Sequence, residues 1–307
     1  RDVNVSHQEV IIADLRDQIV QGRSLSDALA AHPQTFPALY VSMVRAGEAA
    51  GTLAASLERL AVHYERAQET REKILMALTY PGIVLLVSSL TVVFIMVFVI
   101  PRFANMFAEL GSTLPLPTRI LIGISRSLTG MGGLALIGMI VLGVVVLRRV
   151  MNTEAGREWW DQLQLRLPLV GRVVRAAAFA QFAQTLGSLL ANGVPVLSAL
   201  SIVERTMGNR VIAREIRQAR ERVTDGSTIS RPLAAGKVFP ALLTDMLAMG
   251  ERTGDMPGAL AHIARRYEAE LDRTLKLFIT ILEPALIVAI ATLVGFVAIS
   301  MLAAVFD

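Results

Sequence analysis

Along residues 8–80 apolar side chains recur at helical spacing, and no stretch shows the strict alternation of a strand. Val10, Ile11, Leu15 and Ile19 follow a three-four spacing, Gly22 ends that run, and Ser24 is placed to cap a second helix over Leu25–Ala31. A turn at His32-Pro33 follows. Pro37, with its fixed φ, suits the first turn of a third helix ending near Gly47 or Gly51. From about Thr52 a long helix carries Leu57, Leu60 and Tyr64 towards an apolar stretch. Three stretches can cross a hydrocarbon core of roughly 30 Å, which takes about 20 helical residues. They are Gly82–Ile100, a segment from near Ser127 to Leu147, and Pro284–Phe306. The first lies deep in the chain and has no small-residue cleavage pattern, so it is a retained span and not a signal peptide.

The pattern occurs twice. Phe36-Pro37-Ala38-Leu39 with Gly47-Glu48-x-x-Gly51 recurs as Phe239-Pro240-Ala241-Leu242 with Gly250-Glu251-x-x-Gly254, at a constant offset of 203 residues. Met43/Met246, Leu57/Leu260, Tyr64/Tyr267, Lys73/Lys276 and Pro81/Pro284 hold the same register without a gap. The second copy also has a hairpin, Phe179–Ala191 and Pro195–Met207 about a turn at Asn192-Gly193, ahead of Arg210–Thr224 and Gly226. Six helices complete that unit. The first copy, opening on Arg1, would need about 35 more residues upstream to match it, so it is expected to be N-terminally incomplete.

The expectation is an all-α membrane protein with two homologous cytoplasmic six-helix bundles, the first truncated, and three transmembrane helices. Residues 1–76 form the first helical repeat, 77–101 the first span, 102–126 a periplasmic loop with a breaker-rich turn at Leu114-Pro115-Leu116-Pro117, and 127–147 the second span. Residues 148–175 form a basic amphipathic connection, 176–276 the second repeat and 277–307 the third span. The connection carries Trp159-Trp160 among Arg148, Arg149, Arg157, Arg166, Arg172 and Arg175, which is an interfacial anchor or a place for anionic lipid.

Composition agrees with a membrane protein: 53% of residues are hydrophobic, and the mean hydropathy is +0.54. The isoelectric point near 9.8 arises from a net charge of only +4, which points to the positive-inside bias and not to direct nucleic-acid binding. Arg71, Lys73, Arg148, Arg149, Arg273 and Lys276 flank the spans on one side, placing both repeats in the cytoplasm and Asp307 opposite. With no cysteine, disulfides, thiolate metal sites and cysteine nucleophiles are excluded.

The sequence has no phosphate-binding loop, His-Glu-x-x-His or Gly-x-Ser-x-Gly, so no enzyme is expected. His7, His32, His63 and His262 do not superpose between the copies and are expected at the surface. In the Gly-Glu-x-x-Gly element, glycines suit a helix end and close helix packing. Glu48 and Glu251 then either hold a structural contact, present a carboxylate to a partner, or join a calcium site with other oxygens. Glu283-Pro284 stands where the first copy has Tyr80-Pro81; an acid near hydrocarbon costs about 1–3 kcal/mol unless paired or at the headgroups. The prolines are expected to bend the helices entering the bilayer.

The duplicated Phe-Pro-x-Leu…Gly-Glu-x-x-Gly cassette, Tyr80-Pro81, Leu114-Pro115, Leu167-Pro168-Leu169-Val170-Gly171 and Leu190-Ala191-Asn192-Gly193-Val194-Pro195 together resemble the type II secretion system protein F family, which includes type IV pilus platform proteins. The resemblance covers essentially the whole chain. It implies a multi-pass inner-membrane platform at the base of a pseudopilus or pilus machine, whose partners are a cytoplasmic secretion ATPase, other inner-membrane secretion components and pilin-like subunits. It also implies that calcium is a candidate ligand of some family domains. A rival reading, an oligomeric secondary transporter built from repeats, has the duplication and the acid of Glu283 in its favour, and few spans against it. Small residues such as Gly138, Gly143, Gly295 and Ala298 permit close helix packing, so a homo-oligomer is expected.

Overall fold

The computed structural model describes residues 2–110, 116–128, 131–223 and 228–306, and every element in them is helical. The first copy contributes α1 (Asp2–Val20), α2 (Leu25–Ala30), α3 (Ala38–Ala49) and α4 (Leu53–Phe94). After a π-helical turn, Ile95–Val99, come α5 (Ile100–Leu110), α6 (Leu116–Leu128), α7 (Met131–Asn152) and α8 (Glu154–Arg166). The second copy follows as α9 (Val170–Ala191), α10 (Val196–Thr206), α11 (Arg210–Arg222), α12 (Ser230–Ala234), α13 (Ala241–Thr253) and α14 (Met256–Phe306). The Leu114-Pro115 turn, Thr224, Gly226 and Asp307 lie outside the described residues. The segment 102–126, expected as a loop, is helical on both sides of that gap in α5 and α6.

The chain divides into two compact units, one of Arg1–Glu72 with Asp161–Arg273, the other of Lys73–Trp160 with Thr274–Asp307. The first unit holds the helical parts of both copies. Phe182, Leu186 and Leu189 of α9, Leu200 of α10, Ile212 and Ile216 of α11, Leu243 and Leu247 of α13 and Leu260 of α14 are fully buried in one core. Leu39 and Met43 of α3 and Leu60 of α4 join it from the first copy. Burying each such side chain stabilises by about 1.5–3 kcal/mol, so the second copy supplies most of the stabilisation of this unit. A smaller cluster of Leu29, Val41 and Val44, with Phe36, Tyr40 and Leu53 against it, holds α2 to α3.

Equivalent positions differ in burial between the copies. Leu260 and Tyr267 are 0% and 9% exposed, whereas Leu57 and Tyr64 are 37% and 40% exposed. Phe239 packs on Phe179 and Phe182 with ring centroids 5.2 Å apart in each pair. Its counterpart Phe36 has one ring contact among the described residues, with Tyr40 at 5.2 Å. The difference follows from α9 and α10, which lie upstream of the second cassette and give it a large surface to bury against.

In the second unit Met96, Ile100, Ile122 and Val297 form a small apolar cluster. The π turn at Ile95–Val99 closes with the Ile100 N–H bonded to the Ile95 carbonyl, and the Ser125 hydroxyl donates to the Met96 carbonyl at 2.5 Å. Pro101 has no N–H to give back to Val97, and a wider turn just before it is a common way of absorbing that loss. Pro81 and Pro284 lie inside α4 and α14, and both helices run through them. Among the described residues two helices, Leu53–Ala104 and Met256–Ser300, are long and apolar enough to cross a membrane by length and composition. Of the expected second span, 127–147, the part from Met131 lies in α7.

Candidate functional site

Each residue of the Gly-Glu-x-x-Gly element has a distinct local task. Gly47 lies where a Cβ would come within 2.6 Å of Ser56 Cβ, so its missing side chain lets α3 approach the start of α4. Gly250 repeats this against Ala259, whose Cβ would be 2.5 Å away; Ser56 and Ala259 are themselves equivalent positions. Gly51 and Gly254 end the helices in the left-handed region, at φ +70° and +74°. After α3 the Thr52 N–H reaches the Gly47 carbonyl at 2.8 Å and the Gly51 N–H reaches the Glu48 carbonyl at 3.2 Å, the two bonds of a Schellman turn.

The glutamate reaches back to the short helix upstream. Glu48 accepts the Leu25 N–H at 2.8 Å on Oε1 and the Ser26 N–H at 3.1 Å on Oε2, while Ser24 Oγ accepts the Asp27 N–H at 3.1 Å. The first three N–H groups of α2 are thereby satisfied. Desolvation pushes the Glu48 carboxyl up, but the hydrogen bonds from Ser26 and from the Leu25 backbone outweigh it and hold the group below the usual carboxylate range. Glu251 does the same for α12. Its Oε1 accepts the N–H groups of Ile229 and Ser230, the latter at 3.1 Å, and its Oε2 accepts the Ser230 hydroxyl. Backbone N–H groups and a serine hydroxyl thus face both carboxylates. Among the described residues no group of three or more His, Asp or Glu side chains is placed to hold a metal.

Pro37 and Pro240 stand at the N-caps of α3 and α13. In the second unit Tyr80 Oη donates to Glu283 Oε1 at 3.5 Å, so the acid that replaces tyrosine in the second copy meets the tyrosine it replaces. The sequence-derived residues therefore fall into two capping assemblies, one in each copy, and one pair.

The Asn192-Gly193 turn of the α9–α10 hairpin receives the first copy directly. Ser56 Oγ donates to Asn192 Oδ1 at 2.9 Å, and Arg59 Nη1 donates to the Ala191 carbonyl at 2.7 Å and to Asn192 Oδ1 at 3.3 Å. Asn192 also bonds the Ser188 carbonyl through Nδ2 at 2.7 Å. Beside this contact is a cavity of about 400 Å³ lined by Arg59, His63, Arg66, Gln184, Ser188 and Pro257, among others. His63 corrects the expectation of surface histidines: it is 8% exposed, and its buried Nδ1 has no hydrogen-bond partner among the described residues. It sits one turn beyond the buried Leu60, on the face of α4 that packs against the second copy. Burial, followed by the charge of Arg66, lowers its pKa. Glu204, nearly buried on α10, pairs with Arg217 at 2.7 Å and Arg220 at 3.3 Å of α11. Periodicity could not single out these contacts, because their partners come from separate helices.

A model of the type II secretion system (T2SS), protein F, family matches residues 8–101 and 182–304. The chain is 39% identical over 288 residues to the type II secretion system protein F of Pseudomonas aeruginosa, covering 94% of this chain and 70% of that protein. It is 36% identical over 292 residues to the type IV pilus assembly protein PilC of Myxococcus xanthus, with 95% and 70% covered. To the PilC of Thermus thermophilus it is 36% identical over 291 residues, with 94% and 70% covered. The matched segments contain both capping glutamates and both Pro-interrupted apolar helices, and with relatives this similar across nearly the whole chain, the protein belongs to the type II secretion system protein F family.

Proposed function

We propose that this chain is an inner-membrane platform of a type II secretion or type IV pilus-like machine. Both helical repeats lie in the cytoplasm and three helices span the bilayer. The platform couples a cytoplasmic ATPase to the assembly of pilin-like subunits, and so to protein export, alongside other inner-membrane components and as a homo-oligomer. It performs no chemistry of its own and binds no nucleic acid directly.

The observation that supports this most is the construction of α4 and α14. Each carries a polar, packed stretch and an apolar run of membrane-spanning length in one helix, 42 and 51 residues long, without a connecting loop. Each helix continues through its proline, so a displacement applied at the packed stretch passes along one element into the apolar run, which is what a mechanical adaptor needs. Relatives named for secretion and for pilus assembly support the same class of machine. The test is complementation: a strain lacking its own platform protein, supplied with this chain in full-length context, regains export or surface fibres. Correct insertion with neither recovered would overturn the proposal.

A further inference from the structure

The corner between α8 and α9 forms an open cleft of about 510 Å³, lined by the exposed Gln162, Arg166, Pro168, Arg172 and Arg175 and by Val211, among others. Among the described residues no carboxylate lines it. Arg175 is held in place, its Nη2 donating to the Leu165 carbonyl at 2.9 Å. Among the described residues, Arg166 and Arg172 have neither an ion pair nor a side-chain hydrogen bond. The acid closest in sequence, Asp161, is committed elsewhere, accepting the Arg210 N–H at 2.9 Å. The corner itself is tightly built. The Gly171 N–H bonds the Leu167 carbonyl at 2.8 Å, and a Cβ on Gly171 would approach the Leu165 carbonyl oxygen to 2.6 Å.

Three guanidinium groups along one cleft give it a positive potential that favours an anion. A carboxylate offers two oxygens in one plane, whereas a phosphate presents oxygens in several directions and carries more charge, so it suits guanidinium forks arriving from different sides. The volume lies in the range of small-ligand sites. We propose that this corner is a phosphate-binding site, with Arg166 and Arg172 as the two clamping residues and Arg175 as the positioned third cation. The phosphate belongs either to an anionic lipid headgroup or to a soluble phosphate compound, and the site requires no part of the secretion machinery.

The test uses the full chain in neutral detergent, with native mass spectrometry of bound dioleoylphosphatidylglycerol against dioleoylphosphatidylcholine, and a parallel titration with inorganic phosphate. The expected result is preferential binding of the anionic lipid, displaced by phosphate, and about tenfold weaker in Arg166→Gln/Arg172→Gln. Arg16→Gln/Arg23→Gln, which removes the same charge elsewhere, should bind as the parent does. Arg166→Lys/Arg172→Lys, which keeps charge without the forks, should fall between them and guards against a folding artefact. Phosphate binding without lipid binding, lost in the glutamine pair, would place the source in solution and still support the site. Equal binding of both probes by the parent and the glutamine pair would overturn it.

Discussion

Tyr80 Oη donates to Glu283 Oε1 at 3.5 Å, and these two residues occupy equivalent places in the two copies, 203 positions apart. The contact gives the acid near the apolar run a hydrogen-bond partner from the other copy. The second copy has an acid where the first has a phenol, so this contact can form only in a heterologous pair. The chain has no cysteine, which gives a clean background for a direct check. Tyr80→Cys/Glu283→Cys should be bridged within one chain by a short bifunctional thiol reagent in membranes, whereas Tyr80→Cys paired with Ile299→Cys should not. No intrachain product from the first pair would contradict the contact.

Replacing the capping glutamates should weaken the short helices they hold. Glu48→Ala and Glu251→Ala are each expected to cost about 1–2 kcal/mol, since a helix N-terminus loses its acceptor in a half-buried place. Thermal unfolding of the purified chain measures this. The Glu48 carboxyl is held below its ordinary value, so its contribution is full above the unfolded value of about 4.5 and is lost as pH falls through the folded one. Glu48→Gln should flatten that acid limb. Calcium should leave the melting temperature unchanged if capping is the whole role; a calcium-dependent rise that disappears in Glu48→Gln would assign the carboxylate to a cation as well.

Gly47→Ala and Gly250→Ala should each destabilise by about 1–3 kcal/mol through overpacking, because the atoms they meet, Ser56 Cβ and Ala259 Cβ, are fixed to helix backbone. The equivalence of the two sites supplies a rescue. Ser56→Gly should restore much of the stability lost in Gly47→Ala, and Ala259→Gly that lost in Gly250→Ala. Additive losses in the double variants would show that the close approach is not the cause.

His63 should make the helical unit sensitive to mild acid. In the unfolded chain it takes up a proton near pH 6.5, while burial and Arg66 hold its pKa lower in the folded protein. The unfolded state therefore binds more protons as pH drops below 6.5, and stability declines until the folded value is passed. Around the ring, α4 supplies Glu58, Arg59 and Arg66, α9 supplies the neutral Gln184 and Ser188, and α14 supplies Pro257, Ala261 and Ala264. His63→Leu removes a buried, unpartnered nitrogen, so it should be neutral or stabilising at pH 7.5 and should abolish the decline between pH 6.5 and 5. Urea unfolding at several pH values tests this; an unchanged decline in the variant would contradict it.

Local features were the legible ones. Pro37 and Pro240 at helix starts, Gly51 and Gly254 in left-handed turns, and the Asn192-Gly193 hairpin all follow from backbone preferences carried by single residues. The capping partner of Glu48 was not legible, because it is a backbone N–H 23 residues upstream and any side chain can supply one. His63 was misplaced for a related reason. A polar residue on a helix face gives no sign that its neighbour Leu60 turns that face into a core shared with the other copy. The unequal burial of Leu57 and Leu260 is hidden by their equivalent places in the repeat, and depends on where α9 and α10 pack.

The most direct measurement of the platform account is the turnover of the cognate secretion ATPase in the presence of the full-length protein in proteoliposomes, read together with solute flux. The account predicts binding and raised hydrolysis at the vesicle surface, with no specific flux of small solutes. It also predicts that stimulation falls when Glu48→Ala or Glu251→Ala loosens the helical copy that makes the contact. An ATPase that neither binds nor changes its rate, with a specific solute crossing the vesicle membrane instead, would contradict the account and favour a transporter.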